Sequence, residues 1–323
     1  MKRAAVLAGS LAVVLISFVG LSACTSTGTV ADVGSPTAPA EARVRVTTDF
    51  GEHVVFDVVV AVSPGMTAMD ALAQVASVDT TYGGGFVEGI NGIGTGVSGR
   101  FVKRDWFYSV NGFTARTGAA GYVLHDGDTE HWDYRDWSFR RNASATLGAF
   151  PAAFVYGYEG KTRTSIVVYD SGFAGEAESL ARILKSSGAS QVETALLGEL
   201  DGGGLEDSNV LVVAPCGADL VREVSWRWDR LGLFARFDGS ILETYDPSGE
   251  LATVHGDSTG VVLPMQNPWN PGGTGACESV AVIVSGCDET GVRSASRLLS
   301  GSCRELAYSS GAVVEGESWF TLP

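Results

Sequence analysis

Residues 106–134 read WFYSVNGFTARTGAAGYVLHDGDTEHWDY. Large apolar residues alternate at Trp106, Tyr108 and Val110, and the run breaks at Asn111-Gly112. It resumes at Tyr122-Val123-Leu124, breaks again at Asp126-Gly127-Asp128, and ends on a segment carrying Trp132 and Tyr134. Period-two alternation between Asn-Gly and Asp-Gly punctuation predicts antiparallel strands. Asn-Gly supplies the positive φ values of a tight hairpin, and the Asp carboxylates can hold turn amides. Asp126, Asp128 and Glu130 lack the spacing of a calcium loop, so turn chemistry is expected of them and no metal site.

Upstream, Arg43–Thr48 alternates polar and apolar residues, Glu52-His53 marks a turn, and Val54–Val62 reads as a second strand. Ser63-Pro64-Gly65 ends it. Thr67 then caps a helix carrying Ala68, Met69, Ala71, Leu72 and Val75, and Asp70 three residues on suggests a capping box. A glycine-rich segment, 83–99, precedes Trp106. Strand, strand, helix, loop and returning strands predict an α+β, β-grasp-like domain over residues 42–140.

Three pieces of this domain form a recognisable pattern: FVEGINGIG (86–94), WFYSVNG (106–112) and GYVLHDGDTEHWDY (121–134). Together they resemble the transcobalamin-like C-terminal domain of bacterial surface proteins, over under a third of the chain. The resemblance implies a domain type that closes over cobalamin in transcobalamin and intrinsic factor, and hence a corrinoid as bound ligand rather than cofactor. The helical barrel that supplies the other face of the site in those carriers is not found in this sequence. Rings give large contact area at low entropy cost, and flat ligands favour mostly apolar surfaces. The expected ligand-facing residues are Phe86, Ile90, Asn91 and Ile93 of the glycine-rich loop, with Trp106, Tyr108 and Trp132. At least half of the strand aromatics should be core.

The chain opens with Lys2-Arg3, an apolar run from Ala4 to Gly20, and Leu21-Ser22-Ala23-Cys24. That is the shape of a secretory signal over residues 1–23. LSAC resembles a bacterial lipobox, which implies cleavage before Cys24, lipidation of its sulfur and attachment to the extracytoplasmic face of the membrane. Residues 24–41 are small and polar, as in a flexible tether. The net charge is −15, from 22 Lys+Arg against 37 Asp+Glu. No basic stripe is present, which argues against nucleic acid as a partner.

After a partly apolar connector, 141–160, buried-strand patterns alternate with amphipathic helices. Residues 161–323 are therefore expected to form an α/β three-layer domain with a mainly parallel sheet. The carboxyl ends of its strands, Asp170–Gly172, Pro215–Gly217 and Ser285–Asp288, are where such sheets bind ligands. Residues 238–275 read as a long irregular excursion. This half has neither a dinucleotide-binding glycine fingerprint nor a P-loop. His255, its one histidine, reads as part of a polar loop, and no nucleophile–base set can be named, so no enzyme is expected. Cys216, Cys277, Cys287 and Cys303 would meet an oxidising compartment after export. At least one disulfide is expected, with Cys216–Cys287 favoured over Cys277–Cys303 because two strand ends can meet.

The function that follows is a lipid-anchored extracytoplasmic ligand-binding protein that delivers a corrinoid to a membrane transporter. The alternative is an envelope adhesion or interaction module for a protein or a wall polymer.

Overall fold

The computed structural model describes residues 39–94, 103–139, 143–200, 204–301, 306 and 309–323. The expected signal sequence, Cys24, nearly all of the tether, the end of the glycine-rich loop and Cys303 lie outside the described residues. The fold is mixed α+β and strand-rich, with several sheets and few helices.

The first sheet begins with β1 (Glu41–Thr48) and β2 (His53–Ala61), an antiparallel hairpin. Helix α1 (Ala68–Val75) follows, and Thr67 and Asp70 form the expected reciprocal capping box. A small antiparallel sheet comes next: β3 (Val78–Thr81), β4 (Phe86–Ile90) and β5 (Ile93–Gly94). The chain then returns to the first sheet as β6 (Arg104–Val110), β7 (Phe113–Thr114) and β8 (Thr129–Asp136). The spatial order is β2-β1-β8-β6-β7, with β8 parallel to β1 and antiparallel to β6. Asn111 and Gly112 take φ values of 52° and 87° between β6 and β7, as a tight hairpin requires.

Tyr122-Val123-Leu124 does not form the expected strand. Its backbone serves α1 instead: Ala68 N–H donates to the Tyr122 carbonyl (2.9 Å) and Leu124 N–H to the Met66 carbonyl (2.9 Å). The first turn of a helix has amides without intrahelical partners, and this segment takes one of them.

The connector is not a spacer. Helix α2 (Ala152–Val155) lies within it, and Leu147, Phe154 and Tyr158 are buried. Leu147 N–H donates to the Ser309 carbonyl, and Gln266 Nε2 donates to the Ser144 and Thr114 carbonyls. At the turn of the β1–β2 hairpin, Phe50 meets Phe234 edge-on at 5.5 Å. Residues 39–323 pack as one unit.

The second sheet has seven strands. Four are parallel: β9 (Ser165–Tyr169), β10 (Val192–Leu196), β11 (Asn209–Val213) and, later, β16 (Val280–Gly286). Helix α3 (Ala174–Ser186) joins β9 to β10. Between β11 and β16 come helices α4 (Asp219–Trp226) and α5 (Trp228–Leu231) and a three-stranded antiparallel sheet. That sheet is β12 (Ala235–Asp238), β13 (Ile241–Tyr245) and β14 (Leu251–His255). Strand β15 (Thr259–Gln266) then pairs antiparallel to β16, followed outward by β17 (Gly311–Glu315) and β18 (Ser318–Leu322), so the order is β10-β9-β11-β16-β15-β17-β18. The sheet is thus mixed rather than mainly parallel, and residues 238–275 hold three strands instead of an irregular excursion. Pro264 inside β15 hides it from a propensity reading, since proline marks edges and bulges. Here Pro264 sits opposite Val282, beyond the pairing with β17, which ends at Val262.

Helices cover both faces of this sheet. On one face, Leu180 and Leu184 of α3 and Val292 and Ala295 of α6 (Glu289–Gly301) share a core with Leu211, Val213, Val282 and Val284. On the other, Val221 and Val224 of α4 pack with Val210, Val212, Ala281 and Ile283. Helix α6 can approach only because glycines meet where it crosses the strands. A side chain at Gly291 would stand 2.1 Å from the Thr259 carbonyl oxygen, and one at Gly260 would stand 2.1 Å from the Gly291 carbonyl oxygen. Contact between backbones at that range leaves no room for a Cβ.

Candidate functional site

The described part of the glycine-rich segment, residues 83–94, holds β4 and β5, which extend β3 into a small sheet, and the exposed rim of that sheet carries two rings. Tyr82 is 91% exposed and Phe86 is 39% exposed, and they stand edge-on at 6.5 Å. Gly83 and Gly84 follow Tyr82 with positive φ and offer no side chains to cover it. Asn91 and Gly92 form the β4–β5 turn with φ values of 51° and 77°. The Asn91 side-chain oxygen accepts from Ser77 N–H at 2.9 Å, so this residue ties the small sheet together. Ile93 is half-buried, and its carbonyl accepts from Trp106 Nε1 at 3.2 Å.

The strand aromatics divide by burial. Ile90, Trp106 and Trp132 are 0%, 7% and 4% exposed and belong to the core, so as they stand they present no surface to a ligand. The physical reason is that the β4–β5 hairpin lies over Trp106, and Trp132 is on the central strand under Tyr108, stacked at 4.9 Å. Tyr108 is half-buried. Of the seven expected ligand-facing residues, Phe86 and Asn91 are exposed and Ile93 and Tyr108 are half-buried. Tyr82 was missed by sequence reasoning, although an aromatic followed by three glycines was a readable signal of exposure.

Strand β8 carries an unusual load of buried polar groups. On the face shared with Val44 and Val46, Glu130 is fully buried and its Oε1 accepts from Trp132 Nε1. Its Oε2 has no hydrogen-bond partner among the described residues, and burial pushes its carboxyl up to about 8. On the opposite face, His131 Nε2 lies 2.8 Å from Thr47 Oγ1, whose own proton goes to Asp133 Oδ1 at 2.7 Å. Burial, then Arg45 and Arg135, hold His131 down near 3, so it is neutral. Asp133 also accepts from Phe50 N–H and Gly51 N–H, both at 3.1 Å. Burial raises the Asp133 carboxyl, opposed by the Arg135 charge and these hydrogen bonds.

The acidic run at the second turn has separate employments. Asp126 Oδ1 accepts from Glu41 N–H at 2.9 Å. Asp128, fully buried, accepts from Asn111 Nδ2 (2.7 Å), His125 N–H (2.9 Å) and Tyr122 Oη (3.3 Å). Asn111 also donates to the Gly157 carbonyl and accepts from Thr129 N–H, which ties the hairpin, β8 and the connector at one point.

In the second half, His255 closes β14 rather than lying in a loop. Its Nδ1 is 2.7 Å from Glu315 Oε1 and its Nε2 is 3.3 Å from Thr244 Oγ1, so both ring nitrogens hold neighbouring strands. Residues 256–260 read GDSTG, a G-x-S-x-G pattern that sequence reasoning also missed. The pattern needs a strand–turn–helix elbow, whereas Ser258 joins β14 to β15 and its N–H donates to Asp288 Oδ2. Strands β11 and β16 are parallel neighbours, and Cys216 Sγ lies 3.6 Å from the Cys287 carbonyl oxygen. Cys216, Cys277 and Cys287 are buried free thiols, and burial pushes Cys287 up to about 11.

A search of curated proteins finds no match to this chain. Residues 65–136, which hold α1, the β3–β5 sheet, β6, β7 and β8, match the family described as Domain of unknown function (DUF4430), a family known in transcobalamin-like lipoproteins.

Proposed function

We propose that this is a lipid-anchored extracytoplasmic ligand-binding protein whose DUF4430 segment offers its glycine-rich rim to a flat, largely apolar ligand. The observation that carries the reading is the exposed pair Tyr82 and Phe86 inside that segment. Exposed rings on a tightly turned hairpin suit a corrinoid, because little freedom is lost on contact. Lipidation at Cys24 would hold the chain beside a membrane transporter that receives the ligand. The order β2-β1-β8-β6-β7, with α1 between the hairpin and the returning strands, supports a β-grasp-like description of the first part. Helices on both faces of the second sheet support a three-layer description of the rest.

Titration of the purified full chain with cobalamin, followed by corrin absorbance, tests this. Saturable binding at micromolar protein is expected, and Tyr82→Ala and Phe86→Ala should each weaken it about tenfold. Neither variant should shift the melting temperature much, since exposed positions change stability by less than about 0.5 kcal/mol. No saturable change in the unmodified chain removes the corrinoid reading.

Although Cys216 and Cys287 stand here as free thiols, formation of a disulfide between them after export is part of the same proposal, because they would then meet an oxidising compartment side by side. Peptide mapping of the secreted protein without reductant should recover the two joined. Recovery of both as free thiols rules the pairing out.

A further inference from the structure

A groove runs along the carboxyl ends of the parallel strands, on elements different from those of the Tyr82–Phe86 rim. Its wider part has a volume of ≈ 930 Å³ and lies between α4 and the turn that follows β12. Asp219, Arg222 and Trp226 recur on α4 at spacings that put them on one helical face, while Val221 and Val224 are buried on the other. The facing wall is Arg236 to Ser240. A narrower part of ≈ 460 Å³ continues past Gly217 and Asp219 to Asp170 and Ser171 beyond β9, and to Leu196–Gly198 beyond β10. This is the place where open α/β sheets bind ligands.

Trp226 dominates the groove. It is 87% exposed, on a helix whose Val221 and Val224 are buried and whose Leu220 is half-buried. Trp228, also on the lining, is backed by Tyr245 at 4.2 Å and nearly parallel. Around the indoles stand hydrogen-bonding groups of both kinds. Asp219, Glu223, Asp229 and Asp238 are acceptors, Arg222, Arg236 and the hydroxyls of Ser225 and Ser240 are donors, and Asp170 adds an acceptor on the narrower part. Arg236 is held in place by Glu243 at 2.7 Å. The excess of carboxylates disfavours an anionic ligand. The interleaved guanidinium groups disfavour a polycation. A ligand that donates and accepts at many points and also has an apolar face satisfies all of these groups.

We infer that this groove binds a neutral, polyhydroxylated oligosaccharide, with a sugar ring stacked on Trp226 and its neighbours hydrogen-bonded to Asp219 and Asp238. A pyranose carries hydroxyls that both donate and accept, and a C–H face that packs on an indole. The two neighbouring cavities, which share Gly217 and Asp219 on their linings, leave room for a run of sugar units rather than one. The inference holds whether or not the Tyr82–Phe86 rim takes a corrinoid.

The test is isothermal titration calorimetry of the purified full chain with two probes, the tetramer of N-acetylglucosamine and cellotetraose. Saturable heat with at least one is expected, at millimolar or tighter affinity. Trp226→Ala should weaken it about tenfold with an unchanged melting temperature, and Trp226→Phe should recover most of the loss. Asp238→Asn should weaken it several-fold. The inference is overturned if neither sugar gives saturable heat, if tetralysine or polyphosphate saturates the site in their place, or if Trp226→Ala binds as the unmodified chain does.

Discussion

Replacing Asp133 with Ala should lower the unfolding free energy by about 3–5 kcal/mol, because buried amides lose their acceptor and a buried guanidinium loses the carboxylate that favours its charge. Asp133 is almost fully buried, and its carboxylate is the acceptor for Thr47 Oγ1, Phe50 N–H and Gly51 N–H. Phe50 and Gly51 belong to the β1–β2 turn, where Asp49 and Phe50 take φ values of 57° and 60°, and Thr47 lies in β1 just before it. Left-handed backbone costs a non-glycine residue roughly 1–2 kcal/mol, so the turn persists because Asp133 satisfies its amides. The turn in turn places Phe50 against Phe234, joining the first sheet to the core of the second half. Loss of the carboxylate leaves the Phe50 and Gly51 amides without their acceptor and the buried Arg135 charge without its opposing neighbour, while Thr47 Oγ1 keeps His131 Nε2 and the Trp132 carbonyl. Asp133→Asn, which retains an acceptor, should lose about half as much. Urea unfolding of the three proteins measures both differences. A change of under about 0.5 kcal/mol for the Ala variant, the range of ordinary surface substitutions, would show that the turn stands without it.

Local chemistry was legible in the sequence. The Asn111-Gly112 and Asp126-Gly127 turns, the Thr67–Asp70 capping box and the buried parallel strands all rest on neighbours a few residues apart. Pairings between distant segments were not. Nothing in Arg43–Thr48 or Thr129–Asp136 says that β1 and β8 lie side by side and parallel. The aromatics show where alternation stops being informative. It puts Trp106 and Trp132 on faces of a sheet but does not say what covers each face, and the β4–β5 hairpin covers Trp106. Burial of Glu130, His131, Asp133 and Arg135 was equally hidden, because charged residues on a strand read as a solvated face. Trp226 was legible in principle. Val221, Val224 and Trp228 form the apolar stripe of the region around α4, and Trp226 falls off it, as an exposed ligand-stacking residue would.

Glu130→Gln should make the protein more stable at alkaline pH and leave it little changed in acid. The folded carboxyl titrates at about 8 against 4.5 unperturbed, because burial disfavours its charged form. The folded chain therefore holds a proton that the unfolded chain releases between these values. Stability from the protonated form is fully present below about pH 4.5 and is lost as pH rises through about 8. His131 works in the opposite direction. Its folded value near 3 lies below the ordinary 6.5, so its contribution is present above about 6.5 and is lost as pH falls through about 3. The two together give a stability maximum between weak acid and neutrality. Gln has no proton to lose and keeps an oxygen for Trp132 Nε1, so it should remove the alkaline limb alone, a gain of a few kcal/mol at the top of the range. Urea midpoints of both proteins at about pH 5 and about pH 9 separate the cases. A gap that widens with pH places the proton on buried Glu130. An equal gap at both would mean that the carboxyl is already ionised in the folded chain, and that the core around Trp132 and Tyr108 admits a charge.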